Sequence, residues 1–126
     1  MWKEEFATLD DYLSDEYGDD LRWFAAFDAK SYDYDVYHVR KDLQQDLKGN
    51  QLDYVIHRSL ASFSKQNAEG VYFHLGDADH LVAGYERGSA HHVFLDDRRG
   101  LVVMLEPDTD VTLPEFPKTV REKARD

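Results

Sequence analysis

The sequence predicts an α+β fold: an antiparallel or mixed sheet of five or six strands with helices on both faces. Three observations lead there. Hydrophobic periodicity reads α-β-β-α-β-β-β-α along the chain, with room for one further strand after the central helix. The strands are apolar on both sides, so a sheet roofed above and below buries more than a one-sided sheet. A chain of 126 residues, 42% hydrophobic and 13% aromatic, suits one domain over residues 1–126, with roughly two thirds of its unfolded surface buried on folding.

The elements follow in order. Trp2, Phe6, Leu9, Leu13 and Tyr17 recur at steps of three and four and form one stripe of an amphipathic helix, which Gly18 stops. Leu21 to Asp28 alternates Leu21, Trp23, Ala25 and Phe27 on one face with Arg22, Phe24 and Ala26 on the other, a strand buried on both sides. A turn over Asp28-Ala29-Lys30-Ser31 leads to a second strand, Tyr32 to Val39, whose Tyr-Asp-Tyr-Asp alternation gives way to Val36-Tyr37, where a bulge would reverse the face assignment. Arg40 to Lys48 carries Leu43 and Leu47 at helical spacing until Gly49-Asn50 interrupts it. Asn50 and Asp53 resemble a capping pair, and Leu52, Val55, Ile56, Leu60 and Phe63 form the stripe of a central helix that ends before Gly70. Four β segments are expected next, at Val71–Leu75, His80–Glu86, Ala90–Asp96 and Leu101–Glu106, joined by hairpin-length loops. After Pro107, Pro114 and Pro117, the spacing of Phe116, Val120 and Ala124 predicts a last short helix.

The element order resembles the profilin-like group of folds, including roadblock and longin domains, in which an antiparallel sheet lies between a central helix and two terminal helices. A second resemblance rests on Tyr17-Gly18-Asp19-Asp20-Leu21-Arg22 and on the hairpin Phe94-Leu95-Asp96-Asp97-Arg98-Arg99-Gly100-Leu101-Val102-Val103-Met104-Leu105-Glu106-Pro107. These stretches are similar to small haloarchaeal proteins. That resemblance implies a salt-adapted cytoplasm and carries no activity or catalytic residue with it.

Charge is consistent with such a setting. Acidic residues number 26 against 15 basic, a formal charge of −11, and 18 of the 26 are Asp. Short, strongly hydrated carboxylates keep a surface wetted in concentrated salt, where the Debye length shrinks to about 3 Å. The same charge repels phosphate and anionic lipid at low salt, so nucleic acid is possible as a partner only where salt screens the field, and is not favoured. No cysteine occurs, which removes disulfides, zinc knuckles and thiol nucleophiles. No apolar run approaches the roughly 20 residues that cross a bilayer, and the start Met-Trp-Lys-Glu-Glu lacks a basic leader, so no membrane association and a cytoplasmic location are expected.

Three constellations carry potential chemistry, each with a plainer reading beside it. His74, Asp77, Asp79 and His80 place two imidazoles and two carboxylates in seven residues, donors that suit a divalent metal, or they form a polar turn. Register arithmetic with a three-residue loop at Arg87-Gly88-Ser89 sets Tyr85 opposite His91 and His92 opposite Gly84, and a four-residue loop at Asp97 to Gly100 sets His91 opposite Glu106. Tyr85, His91 and Glu106 then make either an acid–base row without a nucleophile or a hydrogen-bonded polar row. Arg98 and Arg99 at a hairpin tip concentrate positive charge, for DNA or for a solvated turn. Tyr32, Tyr34 and Tyr37 are strand tyrosines, either packing or lining a protein interface.

There is no P-loop, dinucleotide fingerprint, Gly-x-Ser-x-Gly elbow, His-Glu-x-x-His helix or calcium loop, and no cofactor is expected. The reading is a non-catalytic regulatory or adaptor protein that forms a homodimer or docks on another cytoplasmic protein, with Tyr32, Tyr34 and Tyr37 as the interface. The alternatives are a ligand- or metal-sensing module and a transcription-associated regulator contacting DNA or a DNA-binding partner.

Overall fold

A computed structural model describes residues 5–45 and 50–126, apart from the side chains of Asn50 and Leu52. Trp2, Leu47, the Gly49 break and the expected Asn50 cap therefore lie outside the described residues. The chain runs α1 (Ala7–Tyr17), β1 (Leu21–Asp28), β2 (Tyr34–Val39), α2 (Asn50–Ser62), α3 (Lys65–Val71), β3 (His80–Tyr85), β4 (Gly88–Phe94), β5 (Arg99–Leu105) and α4 (Glu115–Arg125). Five strands form one sheet in the order β2-β1-β5-β4-β3, with every neighbouring pair antiparallel. This is the α+β layer fold the sequence predicts.

Both faces of the sheet are covered, and the strand alternation explains how. Phe24, Ala26, Leu101, Val103 and Leu105 meet Leu9 and Leu13 of α1 and Phe116, Val120 and Ala124 of α4. On the other face Trp23, Ala25, Phe27, Phe94 and Val102 meet Leu43 with Ile56 and Leu60 of α2. Burying side chains of this size stabilises by about 1.5–3 kcal/mol each, so the strands need helices on both sides. Gly18, at φ 52, ends α1 in a conformation that disfavours other residues.

Two bulges refine the face assignment. In the β1–β5 ladder the register shifts between Leu21 and Trp23, so Leu21 joins the α1/α4 core rather than the Trp23 face on which simple alternation sets it. In the β1–β2 ladder Phe24 pairs with His38 and Ala25 with Val36, which leaves Tyr37 as the extra residue. The bulge falls where the alternation of the sequence breaks, and it reverses the faces beyond it. It turns Tyr37 into the α1/α4 core, stacked on Phe24 at 5.0 Å and edge-on to Phe6 at 5.9 Å, while Tyr34 and Val36 serve the opposite face.

Three expectations are corrected. Strand β2 starts at Tyr34 rather than Tyr32, because the turn still occupies Tyr32 at φ 64. The central helix breaks after Ser62, where Ser64 is extended and its side chain accepts the Asn67 N–H, capping a separate helix α3. Val71–Leu75 is not a strand but the end of α3 and a 3₁₀ turn over Phe73–Leu75. Its β-favouring residues have no ladder to join, which shows how far strand preference depends on pairing.

Candidate interaction site

The sheet has two edges, β2 and β3. On one side β3 pairs with β4, and on the other no described strand pairs with it. Its six residues, His80–Tyr85, contain no Asp, Glu, Lys or Arg, in a chain that is 33% charged. Val82 is 44% exposed and Tyr85 54%. Gly84 lies in the strand with ordinary φ, and a Cβ built there meets nothing within 4 Å. Nothing in the monomer's packing demands a glycine at that position, and glycine weakens a strand interior. A backbone approaching from outside would give the missing side chain a purpose. The segment leading into β3 exposes Val71, Tyr72, Phe73 and Leu75, with Phe73 81% exposed.

The sequence-predicted candidates are distributed as follows. The β3–β4 turn is the two residues Glu86-Arg87, with Tyr85 paired to Gly88, so the three-residue loop is a correction. That turn shifts the β3–β4 pairs, and the β4–β5 pairs shift as well, because Phe94 pairs with Gly100 in place of the expected Asp96 with Leu101. His91 lies between Val82 and Val103, His92 between Leu81 and Val102, and Gly84 faces Ser89. Tyr85, His91 and Glu106 are therefore not a cross-strand row. Glu106 lies beyond β5 and accepts from Arg22 at 2.8 Å and Arg40 at 2.6 Å, and hydrogen bonds from Arg40 first, then Arg22, hold its carboxyl below the usual range.

His91 and His92 point to opposite faces. His91 Nε2 shares a 2.9 Å hydrogen bond with the Ser89 hydroxyl, and its ring meets Phe116 edge-on at 5.0 Å. His92 is stacked on Phe63 at 4.5 Å and is fully buried. Burial, and next the neighbouring His91 charge, push the His92 pKa down to about 4; burial, and next His80, lower His91. Nδ1 of His91 and Nε2 of His92 have no hydrogen-bond partner among the described residues. Both rings are neutral packing groups at neutral pH.

His74, Asp77, Asp79 and His80 do not converge. His74 lies in the 3₁₀ turn against Phe73, Asp79 is 3.8 Å from Arg121, and His80 opens β3. Among the described residues no three His, Cys, Asp or Glu side chains gather around a metal-sized space. Arg98 and Arg99 are tied to carboxylates of this same chain: Arg98 Nε to Asp28 at 2.5 Å, Arg99 to Glu5 at 2.5 Å and to Asp96. Asp28 is buried, which pushes its pKa up, yet the N–H groups of Ser31 and Lys30 and the Arg98 side chain hold it below the usual range. The three tyrosines separate. Tyr32 is exposed and edge-on to His57, Tyr34 donates its hydroxyl to Asp53 of α2, and Tyr37 is turned inward.

Sequence reasoning missed the β3 edge. The signal was present as six consecutive uncharged residues with a glycine in fifth place, but it marks an edge only once the strand order is known.

Residues 7–125 match the domain of unknown function DUF7522. The chain belongs to that family. No curated protein matches the DUF7522 chain in sequence. Solved structures similar to it include the gliding protein MglB from Thermus thermophilus, at TM-score 0.68 and 14% identity, over 98% of this chain and 87% of that one. A Roadblock/LC7 domain from Streptomyces avermitilis is similar at TM-score 0.66 and 12% identity, over 93% and 92%. An MglB with tetrameric arrangement follows at TM-score 0.62 and 16% identity, over 98% and 84%. The fold is thus that of roadblock/LC7 domains, as the element order suggests. No helix among the described residues is long and apolar enough to cross a membrane.

Proposed function

We propose that this protein is a non-catalytic regulatory adaptor that forms a homodimer by pairing β3 with β3 of a second copy and docks other proteins on the joined surface. The observation that carries this reading is the open edge His80–Tyr85, uncharged, with Gly84 leaving room for an approaching backbone. Unpaired N–H and C=O groups on an edge strand are a template for another strand, and soluble proteins ordinarily block such an edge with charge or bulges. Here neither block is present. Support also comes from the roadblock-like fold and from the tetrameric arrangement named for one MglB. A non-catalytic role is supported by the separation of Tyr85, His91 and Glu106. The Asp-rich surface supports work at high salt.

Val82→Glu tests the interface, because Val82 is exposed and the monomer tolerates a charge there. Light scattering after size exclusion in molar potassium chloride is expected to show a dimer for the parent chain. The variant is expected to dissociate with a constant raised on the order of 100-fold, from like charges facing each other across the joined edge. A parent chain that stays monomeric from micromolar to millimolar concentration overturns the proposal.

A further inference from the structure

At one end of the sheet, the turn after β1, the turn between β4 and β5 and the junction of α2 with α3 enclose a cleft of about 550 Å³. That volume is in the range of small-molecule sites. Phe27, Phe63 and Phe94 supply aromatic walls, and Lys30, Tyr32 and Arg98 stand around them. The Phe27 ring is packed directly on β5, since a Cβ at Gly100 would come within 2.5 Å of it. The aromatic floor is thus built into the register of the sheet.

Two features of the rim are unexplained by folding. Tyr32 is the one described non-glycine residue at positive φ, and the residue is 54% exposed. A bulky residue in the left-handed region costs about 1 kcal/mol or more, and glycine or asparagine would make the same turn without that strain. Lys30 has no ion-pair partner among the described residues, and Arg98 binds Asp28 through Nε alone, leaving both Nη groups without a described partner. Of the other cations in the lining, Lys65 is tied to Glu69 and Asp97 and Arg99 to Glu5 and Asp96, so Lys30 and the Arg98 Nη groups are the donors left for a ligand.

We propose that this cleft binds a small organic anion, a carboxylate or phosphate group carried on an aromatic or otherwise apolar body. The anionic group meets Lys30 and the free Nη donors of Arg98, where a planar guanidinium suits either oxyanion. The body lies against Phe27, Phe63 and Phe94, and Tyr32 flanks it. The inference does not depend on dimerisation, because the cleft is lined by one copy of the chain.

The test uses amide resonances of the isotope-labelled full chain, titrated with phenyl phosphate, with benzoate and with neutral benzyl alcohol. Saturable shifts at Lys30, Tyr32, Ser64 and Arg98 are expected with at least one anion, about tenfold tighter than with the alcohol. Lys30→Ala, an exposed change that leaves the fold intact, is expected to weaken the anion several-fold and leave the alcohol unchanged. Tyr32→Gly is expected to raise the melting temperature while weakening both. The proposal is overturned by no saturable shift at millimolar probe, by equal affinity for the alcohol, or by shifts that map away from the cleft. It is also overturned if Tyr32→Gly raises stability and leaves affinity unchanged.

Discussion

The two edges of this sheet are held in opposite ways. On the β2 side, Tyr34 reaches Asp53 of α2, Tyr37 is folded into the core, and Arg40 binds Asp42, Glu106 and the Asp19 carbonyl. The bulge at Tyr37 distorts the edge, and Asp33 and Asp35 charge it. Within His80–Tyr85 no bulge or charged side chain is described; Arg121 holds Asp79 just before the strand, and the six residues pair with β4. One edge is closed by bulge, charge and side-chain ties, and the other is left as a flat ladder. The difference teaches that the proposed association has a direction, since β3 is left open to a strand from outside and β2 is blocked.

Acid gives the largest expected way to sharpen this contrast, because β4, which carries β3, holds both buried histidines. His92 is surrounded by Phe27, Phe63, Leu81 and Val102, with no described carboxylate against it. It is neutral in the fold, whereas the unfolded chain takes up its proton near the ordinary value of 6.5. Stability is therefore full above that value and falls as pH drops toward about 4, by up to about 3 kcal/mol from this group. Denaturant melts at pH 7 and pH 5 are expected to show the loss, and His92→Leu to reduce it. A parent chain equally stable at both values breaks the argument. Amide exchange in mild acid should rise in β3 and β4 before β2.

A smaller effect is expected on the opposite edge. Glu106→Ala removes the carboxylate shared by Arg22 and Arg40 and is expected to cost about 1–2 kcal/mol, since the pair is only partly exposed and networked. Its exchange signature should fall on β2 and spare β3; uniform loss across the sheet contradicts the division drawn above. The smallest effect tests how Tyr37 closes its edge. Its hydroxyl is buried without a partner among the described residues, and burial, helped by Asp35, Glu5 and Asp10, raises its pKa above the usual range. Tyr37→Phe should leave stability unchanged or raise it by up to about 1 kcal/mol, measured by chemical melts, because the ring does the packing and the hydroxyl is stranded. A large loss would mean that the hydroxyl, rather than the ring, secures β2.

Much of the fold was determined by the sequence alone. Trp23/Ala25/Phe27 against Phe24/Ala26 required a sheet covered on both faces, Gly18 ended the first helix, and Phe116, Val120 and Ala124 set the last one. These signals are local, because amphipathic period and φ preference act within a few residues. The functional sites were not legible in the same way. A different turn at Glu86-Arg87 moved the partner of Tyr85 from His91 to Gly88, and a different β4–β5 turn moved the partner of His91 from Glu106 to Val103, since hairpin register is set by the position and length of each turn. Which strand became the open edge, and which loops met to enclose Phe27, Phe63 and Phe94, depended on strand order. That order is decided by how distant segments pack together, and no local pattern along the chain encodes it.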